Sequence, residues 1–88
     1  MNLEKLREEI DQLDEKLLDF LARRDTVVQQ IGAIKADRQM DVLDREREER
    51  LYARIRQLSR QRNIDEEYSG KLFRLILQHS RELQRTIS

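Results

Sequence analysis

From Leu3 to Lys35 the apolar residues of this chain recur in steps of three and four, with no Gly or Pro before Gly32. Such spacing places one side chain after another on the same face of a helix, so the stretch predicts one long helix that packs on other helices. Its seam reads Leu3, Leu6, Ile10, Leu13, Leu17, Phe20, Arg24, Val27, Ile31 and Ile34, in which Arg24 is the one charged member. A helix of about 33 residues is roughly 50 Å long, whereas a compact chain of this size should be about 30 Å across. The helix therefore overhangs a monomer, and a partner chain is expected.

A second stripe, one position round, reads Arg7, Ile10, Asp14, Leu17, Leu21, Arg24, Val28, Ile31 and Lys35. Several charges in it face inward. An inward cation is costly unless an anion meets it, so an internal carboxylate or a ligand has to answer Arg24 and Lys35.

The rest of the composition narrows the possibilities. With 88 residues, 41% of them charged, and neither Pro, Cys nor Trp, the chain reads as one all-helical domain over residues 1–88. Eighteen basic and eighteen acidic residues cancel, which removes the positive footprint of a sequence-independent nucleic-acid binder. No apolar run approaches the roughly 20 residues of a spanning helix, and the N-terminus has no secretion-signal pattern, so a cytoplasmic location with no membrane partner is expected. Without Cys, and with His79 as the single His, no cluster exists from which a zinc site or a nucleophilic triad could be assembled.

Beyond Lys35 the rhythm loosens from Ala36 to Asp41, where a short loop is expected. Asp44 is then a plausible N-cap for a second helix running to about Arg62, with Leu51, Ile55 and Leu58 on its inner face. Projected back, that face takes in Asp44, Arg47 and Glu48, while Arg45 and Glu46 point away. Asn63 and Ile64 interrupt, Asp65 caps again, and acidic Glu66 and Glu67 suit the start of a third helix that runs to roughly Arg85. One edge of it, Phe73, Leu77, Ser80 and Gln84, starts apolar and ends polar.

The polar residues on inward faces are thus Arg7, Arg24, Lys35, Asp44, Arg47, Glu48, Ser80 and Gln84. Four are cations, a set poor for acid–base or nucleophilic work and good for gripping a small dianion whose charges are held apart. The carboxylates of Asp44 and Glu48 could accept from a hydroxyl. Each residue singly also has a plain structural explanation, such as an ion pair across helices or a helix cap.

The stretches Leu6-Arg7-Glu8-Glu9-Ile10-Asp11 with Leu13-Asp14, Leu21-Ala22-Arg23-Arg24, Ile31-Gly32 with Lys35, Val42-Leu43-Asp44-Arg45-Glu46-Arg47-Glu48, and Ser80 with Gln84 together resemble the all-helical class of chorismate mutases. No one of them is specific alone; their order and spacing are. The resemblance covers nearly the whole chain. It implies an intertwined homodimer of three-helix chains that rearranges chorismate to prephenate without a cofactor, in aromatic amino-acid biosynthesis. It also implies roles: Arg24, Arg47 and the partner's Arg7 on the two carboxylates, Lys35 and Gln84 on the ether oxygen, Glu48 and the Asp44 backbone on the ring hydroxyl, and Ser80 near a carboxylate. Many family members carry Pro where this chain has Arg45, but the helical facing favours Arg47-Glu48 over Arg45-Glu46 as the site pair.

Geometry and chemistry agree with that implication. A unimolecular rearrangement needs no proton carrier, so its catalyst has to fold the substrate and set fixed donors where charge develops. Arg24 and Lys35 lie about 16 Å apart along one helix, within reach of a shared ligand, whereas Arg7 lies roughly 25 Å from Arg24. Two alternatives remain from sequence: an isochorismate pyruvate-lyase with a similar cationic pocket, and a catalytically silent helical dimerisation module.

Overall fold

A computed structural model describes residues 2–86, which form three helices and no strand: α1 (Leu3–Asp37), α2 (Arg45–Gln61) and α3 (Glu66–Arg85). Each starts on a side-chain cap. The Asn2 side chain accepts from the Glu4 N–H, Asp44 from Arg47, and Asp65 from both Glu67 and Tyr68, so donors that no earlier turn can satisfy are satisfied locally.

The first two helices end in the same way. Gln39 and Asn63 adopt left-handed backbone angles, with φ of 55° and 54°. The amides that follow fold back, Met40 N–H to the Lys35 carbonyl at 2.8 Å and Ile64 N–H to the Ser59 carbonyl at 2.9 Å. This is the Schellman arrangement, made here without glycine at either left-handed position. It carries α1 two residues past Lys35, because backbone hydrogen bonds continue after the apolar rhythm has stopped.

Helix α3 is the middle of the molecule. It packs against both α1 and α2, whereas α1 and α2 make no close backbone approach to each other among the described residues. Val28 of α1, Ile55 of α2 and Leu77 of α3 are the buried apolar residues. On α1 the stripe turned towards α3 is the second one, with Arg24, Val28 and Lys35, and the leucine-rich seam is left largely uncovered.

That seam is the dominant fact of the overall shape. Every residue from 2 to 23 is exposed, and Leu3, Leu6, Ile10, Leu13, Leu17, Leu18, Phe20 and Leu21 are 39% to 66% accessible. The chain measures 55 × 24 × 15 Å with a radius of gyration of 16.1 Å, against about 12 Å for a compact chain of this length. The buried and half-buried residues of α1 all lie from Arg24 onward. No helix among the described residues is long and apolar enough to cross a membrane.

Candidate active site

The C-terminal half of α1, the first turns of α2 and the C-terminal half of α3 enclose a cavity of about 340 Å³. Its apolar wall is Val28, Ile31, Leu51, Phe73 and Leu77. Its polar lining is Arg24, Lys35, Asp44, Arg47, Glu48, Ser80 and Gln84, seven of the eight residues singled out from sequence. The eighth, Arg7, stands on the exposed half of α1 and pairs with Glu4 at 3.3 Å, far from this cavity in its own chain. Arg45 and Glu46 do not line the cavity, and Glu46 pairs instead with Arg50.

Each polar group is held by a local cause. Ser80 Oγ donates to the Ile76 carbonyl one turn back at 2.8 Å, which turns its lone pairs outward to accept from Arg24 Nη1. Lys35 Nζ donates to the Val42 carbonyl at 2.8 Å, so one of its three donors ties down the loop and two remain for other acceptors. Asp44 spends its carboxylate on the Arg47 N–H at 3.0 Å. Gln84 is buried, and its Oε1 finds no hydrogen-bond partner. A buried amide oxygen left so is costly, and it marks a place where a ligand donor or water gains a full hydrogen bond.

Gly32 explains how Gln84 comes to sit there. A Cβ built on Gly32 would lie 3.1 Å from Gln84 Cα and 3.3 Å from its Cβ and Cγ, so the absent side chain lets α3 approach α1 where Gln84 enters the cavity.

The electrostatics lean one way. Arg24 has its pKa pushed below the ordinary guanidinium value, first by burial and further by the neighbouring positive charge of Arg47, while Asp25 opposes the shift. Arg24 still keeps its proton at any physiological pH. Arg24 is half-buried with the exposed Arg47 beside it, so their positive charges repel, and an anion bound between them relieves that repulsion. Of the two carboxylates in the lining, Asp44 is occupied as a cap, and Glu48 receives both of its bonds from Arg81, at 2.8 and 2.7 Å. With Glu48 paired to Arg81, the lining sets three cations, Arg24, Lys35 and Arg47, against the single charge of Asp44, a net positive cavity.

A larger groove, about 760 Å³, lies on the outer faces of α2 and α3, but its Glu49, Glu66 and Glu67 balance its Arg56, Lys71 and Arg74. It has no net charge to select an anion. No group of three or more His, Cys, Asp or Glu side chains converges among the described residues in a way that could hold a metal ion.

Sequence reasoning passed over three neighbours of the site. Arg81 sits 33 positions from Glu48, and no local spacing links them. Asp25 flanks Arg24 and meets His79 Nε2 at 3.2 Å across α1 and α3. Gly32 was visible as a residue but not as the point of contact with Gln84.

Comparison with known proteins fits this geometry. The family described as "Chorismate mutase type II" matches residues 6–85. The chain is 34% identical over 83 residues to the chorismate mutase of Methanocaldococcus jannaschii, covering 94% of this chain and 84% of that protein. It is 39% identical over 75 residues to the bifunctional chorismate mutase/prephenate dehydratase of Escherichia coli K12, covering 85% of this chain but 19% of that protein. A bifunctional enzyme of the same description from Buchnera aphidicola is 31% identical over 81 residues, of which this chain spans 21% of the length. With a family match across all three helices and a relative of its own size, the chain belongs to the type II chorismate mutase family.

Proposed function

We propose that the protein is a chorismate mutase, an isomerase that converts chorismate to prephenate in the route to aromatic amino acids, and that residues 1–88 form a single mutase domain. The observation that carries this reading is the convergence of Arg24, Lys35 and Arg47 with Ser80 and Gln84 in one small cavity. It is a pocket for a compact dianion, with neither His nor Cys in its lining.

The reaction breaks an ether C–O bond while a C–C bond forms elsewhere in the same molecule, so nothing enters or leaves. Two demands fall on the protein: to hold the substrate folded, and to stabilise negative charge growing on the ether oxygen. Arg24 and Arg47 clamp carboxylates, and Ser80 braces Arg24. Lys35 and Gln84 donate to the ether oxygen, with donors already in place before charge develops, so no reorganisation is needed at the moment of reaction. Glu48 and the Asp44 backbone hold the ring hydroxyl. The apolar wall of Val28, Ile31 and Leu77 keeps water out and strengthens each of these interactions.

The site so described lacks one clamp, and the uncovered seam of α1 supplies a reason. Eight large apolar side chains between Leu3 and Leu21 are exposed, a surface that a stable protein covers. An antiparallel second copy, intertwined along α1, covers it and brings the partner's Arg7 to the cavity. The functional unit is then a homodimer with two shared sites, and the substrate is its only small-molecule partner, with no nucleic acid, membrane or cofactor. The described family and the named relatives favour this reading over an isochorismate pyruvate-lyase.

An ultraviolet assay of chorismate loss, with prephenate identified as the product, tests it directly. Turnover of chorismate well above that of isochorismate is expected. Chorismate left unchanged, or isochorismate cleaved faster, refutes the proposal.

A further inference from the structure

Glu48 faces an awkward problem in this cavity. It occupies the first turn of α2 with three cations on the lining around it, Arg24, Lys35 and Arg47. A flexible carboxylate in that position would swing onto one of them, neutralising a clamp and giving up its own aim. In the structure it is Arg81 that engages the Glu48 carboxylate.

Arg81 follows Ser80 on α3 and is not itself part of the cavity lining. From there its Nη1 donates to Glu48 Oε1 at 2.8 Å and to Oε2 at 2.7 Å. The two side chains are only 24% and 21% exposed. By contrast, the pairs Arg50 with Glu46, Arg60 with Glu66, Lys71 with Glu67 and His79 with Asp25 all have side chains at least 37% exposed. The Arg81 bridge is thus the better shielded one, and it joins the start of α2 to the C-terminal half of α3. An ionised carboxylate has about four acceptor directions, so engaging one on each oxygen leaves the others for a donor inside the cavity.

We propose that Arg81 is a positioning residue: it draws the Glu48 carboxylate away from the cavity cations and fixes it where it accepts the ring hydroxyl of the substrate. The role rests on the proposed function, since it concerns the hydroxyl end of the same site. It has two consequences. The clamps stay free for the dianion, and the hydroxyl meets an acceptor that is already oriented. The hydroxyl keeps its charge through the rearrangement, so its acceptor binds substrate and transition state alike, and losing it shows in KM more than in kcat.

The test is a cycle of variants assayed on chorismate: the parent, Arg81→Met, Arg81→Lys, Glu48→Gln, and Arg81→Met with Glu48→Gln. Met keeps the packed stem of Arg81 and removes only its donors, and circular dichroism with thermal melts checks that each variant is folded. Arg81→Met is expected to raise KM about ten-fold, as for loss of a hydrogen bond to a charged group, with kcat within about three-fold. Arg81→Lys is expected to recover at least part of the loss. In the Glu48→Gln background the same Arg81→Met change is expected to move KM less than about two-fold, because its partner is gone. An equal KM effect in both backgrounds overturns the proposal, since Arg81 would then act on the substrate or the fold without Glu48. So does an unchanged KM, or a fall confined to kcat. A parent that leaves chorismate intact refutes the proposed function, and the role of Arg81 with it.

Discussion

Arg7→Ala and Arg24→Ala, each made in its own chain and then mixed, test the shared site most sharply. The two residues are 17 positions apart on the unbroken helix α1, which sets them about 25 Å apart along its axis. No side chain spans that gap, so one chain cannot bring both to one ligand. If each site draws Arg7 from the other chain, each variant homodimer lacks one carboxylate clamp in both of its sites and is nearly inactive. Unfolding equal amounts together and refolding them gives about half heterodimers by random pairing. Each heterodimer has one site with both arginines and one with neither, so activity returns to roughly a quarter of the parent level. Arg24 also donates to Ser80, so circular dichroism of each variant has to show an intact fold before mixing. Chorismate loss in the ultraviolet, with heterodimer measured by mass, is the assay. A mixture that contains heterodimer yet stays as inactive as its components refutes the shared site.

Lys35→Ala is expected to lower kcat about a hundred-fold, the loss of about 3 kcal/mol for one preorganised donor at an oxygen that gains charge mainly in the transition state. Its melting temperature should be recorded alongside, because Lys35 also ties the Val42 carbonyl, and turnover within a few-fold of the parent would contradict the role. Gln84→Glu is expected to confine activity to acid pH, since a glutamate beside a dianion donates to the ether oxygen only while protonated and loses the proton as pH rises. A pH profile matching the parent's would remove Gln84 from the ether oxygen. Gln39→Gly is expected to stabilise the fold by about 1 kcal/mol, relieving a left-handed φ of 55° in a residue with a Cβ, and Asn63→Gly by less because Asn tolerates that region. Thermal melts at one fixed protein concentration read this as a rise of roughly 4–8 °C for Gln39→Gly, and a fall would contradict it.

What the sequence determines here follows from local rules. Steps of three and four fix three helices, and a carboxylate ahead of free N–H groups fixes where two of them start. Asp44 and Asp65 are caps in the structure for that reason alone, with the helices ending near Arg62 and Arg85. The end of α1 was less legible: the apolar rhythm stops near Lys35, but Gln39 closes the helix in a conformation its residue type does not advertise. The candidate pocket was legible because helix periodicity assigns faces, and Arg24, Lys35, Arg47, Glu48, Ser80 and Gln84 fall on faces that meet.

Tertiary structure decided what periodicity leaves open. Two stripes on α1 were both apolar enough to pack, and the choice between them depended on which could close on α3. Gly32 suits that choice, since a Cβ there would lie 3.1 Å from Gln84 Cα and push the two helices a few tenths of an ångström apart. The leucine-rich seam was then left facing outward. The bond from Arg81 to Glu48 is of the same kind, since it joins residues on two helices whose relative rotation no single-helix pattern contains. Local spacing tells which side chains share a face; which face meets which is settled only when helices pack, because close fit and the pairing of buried charges are properties of the assembled interface.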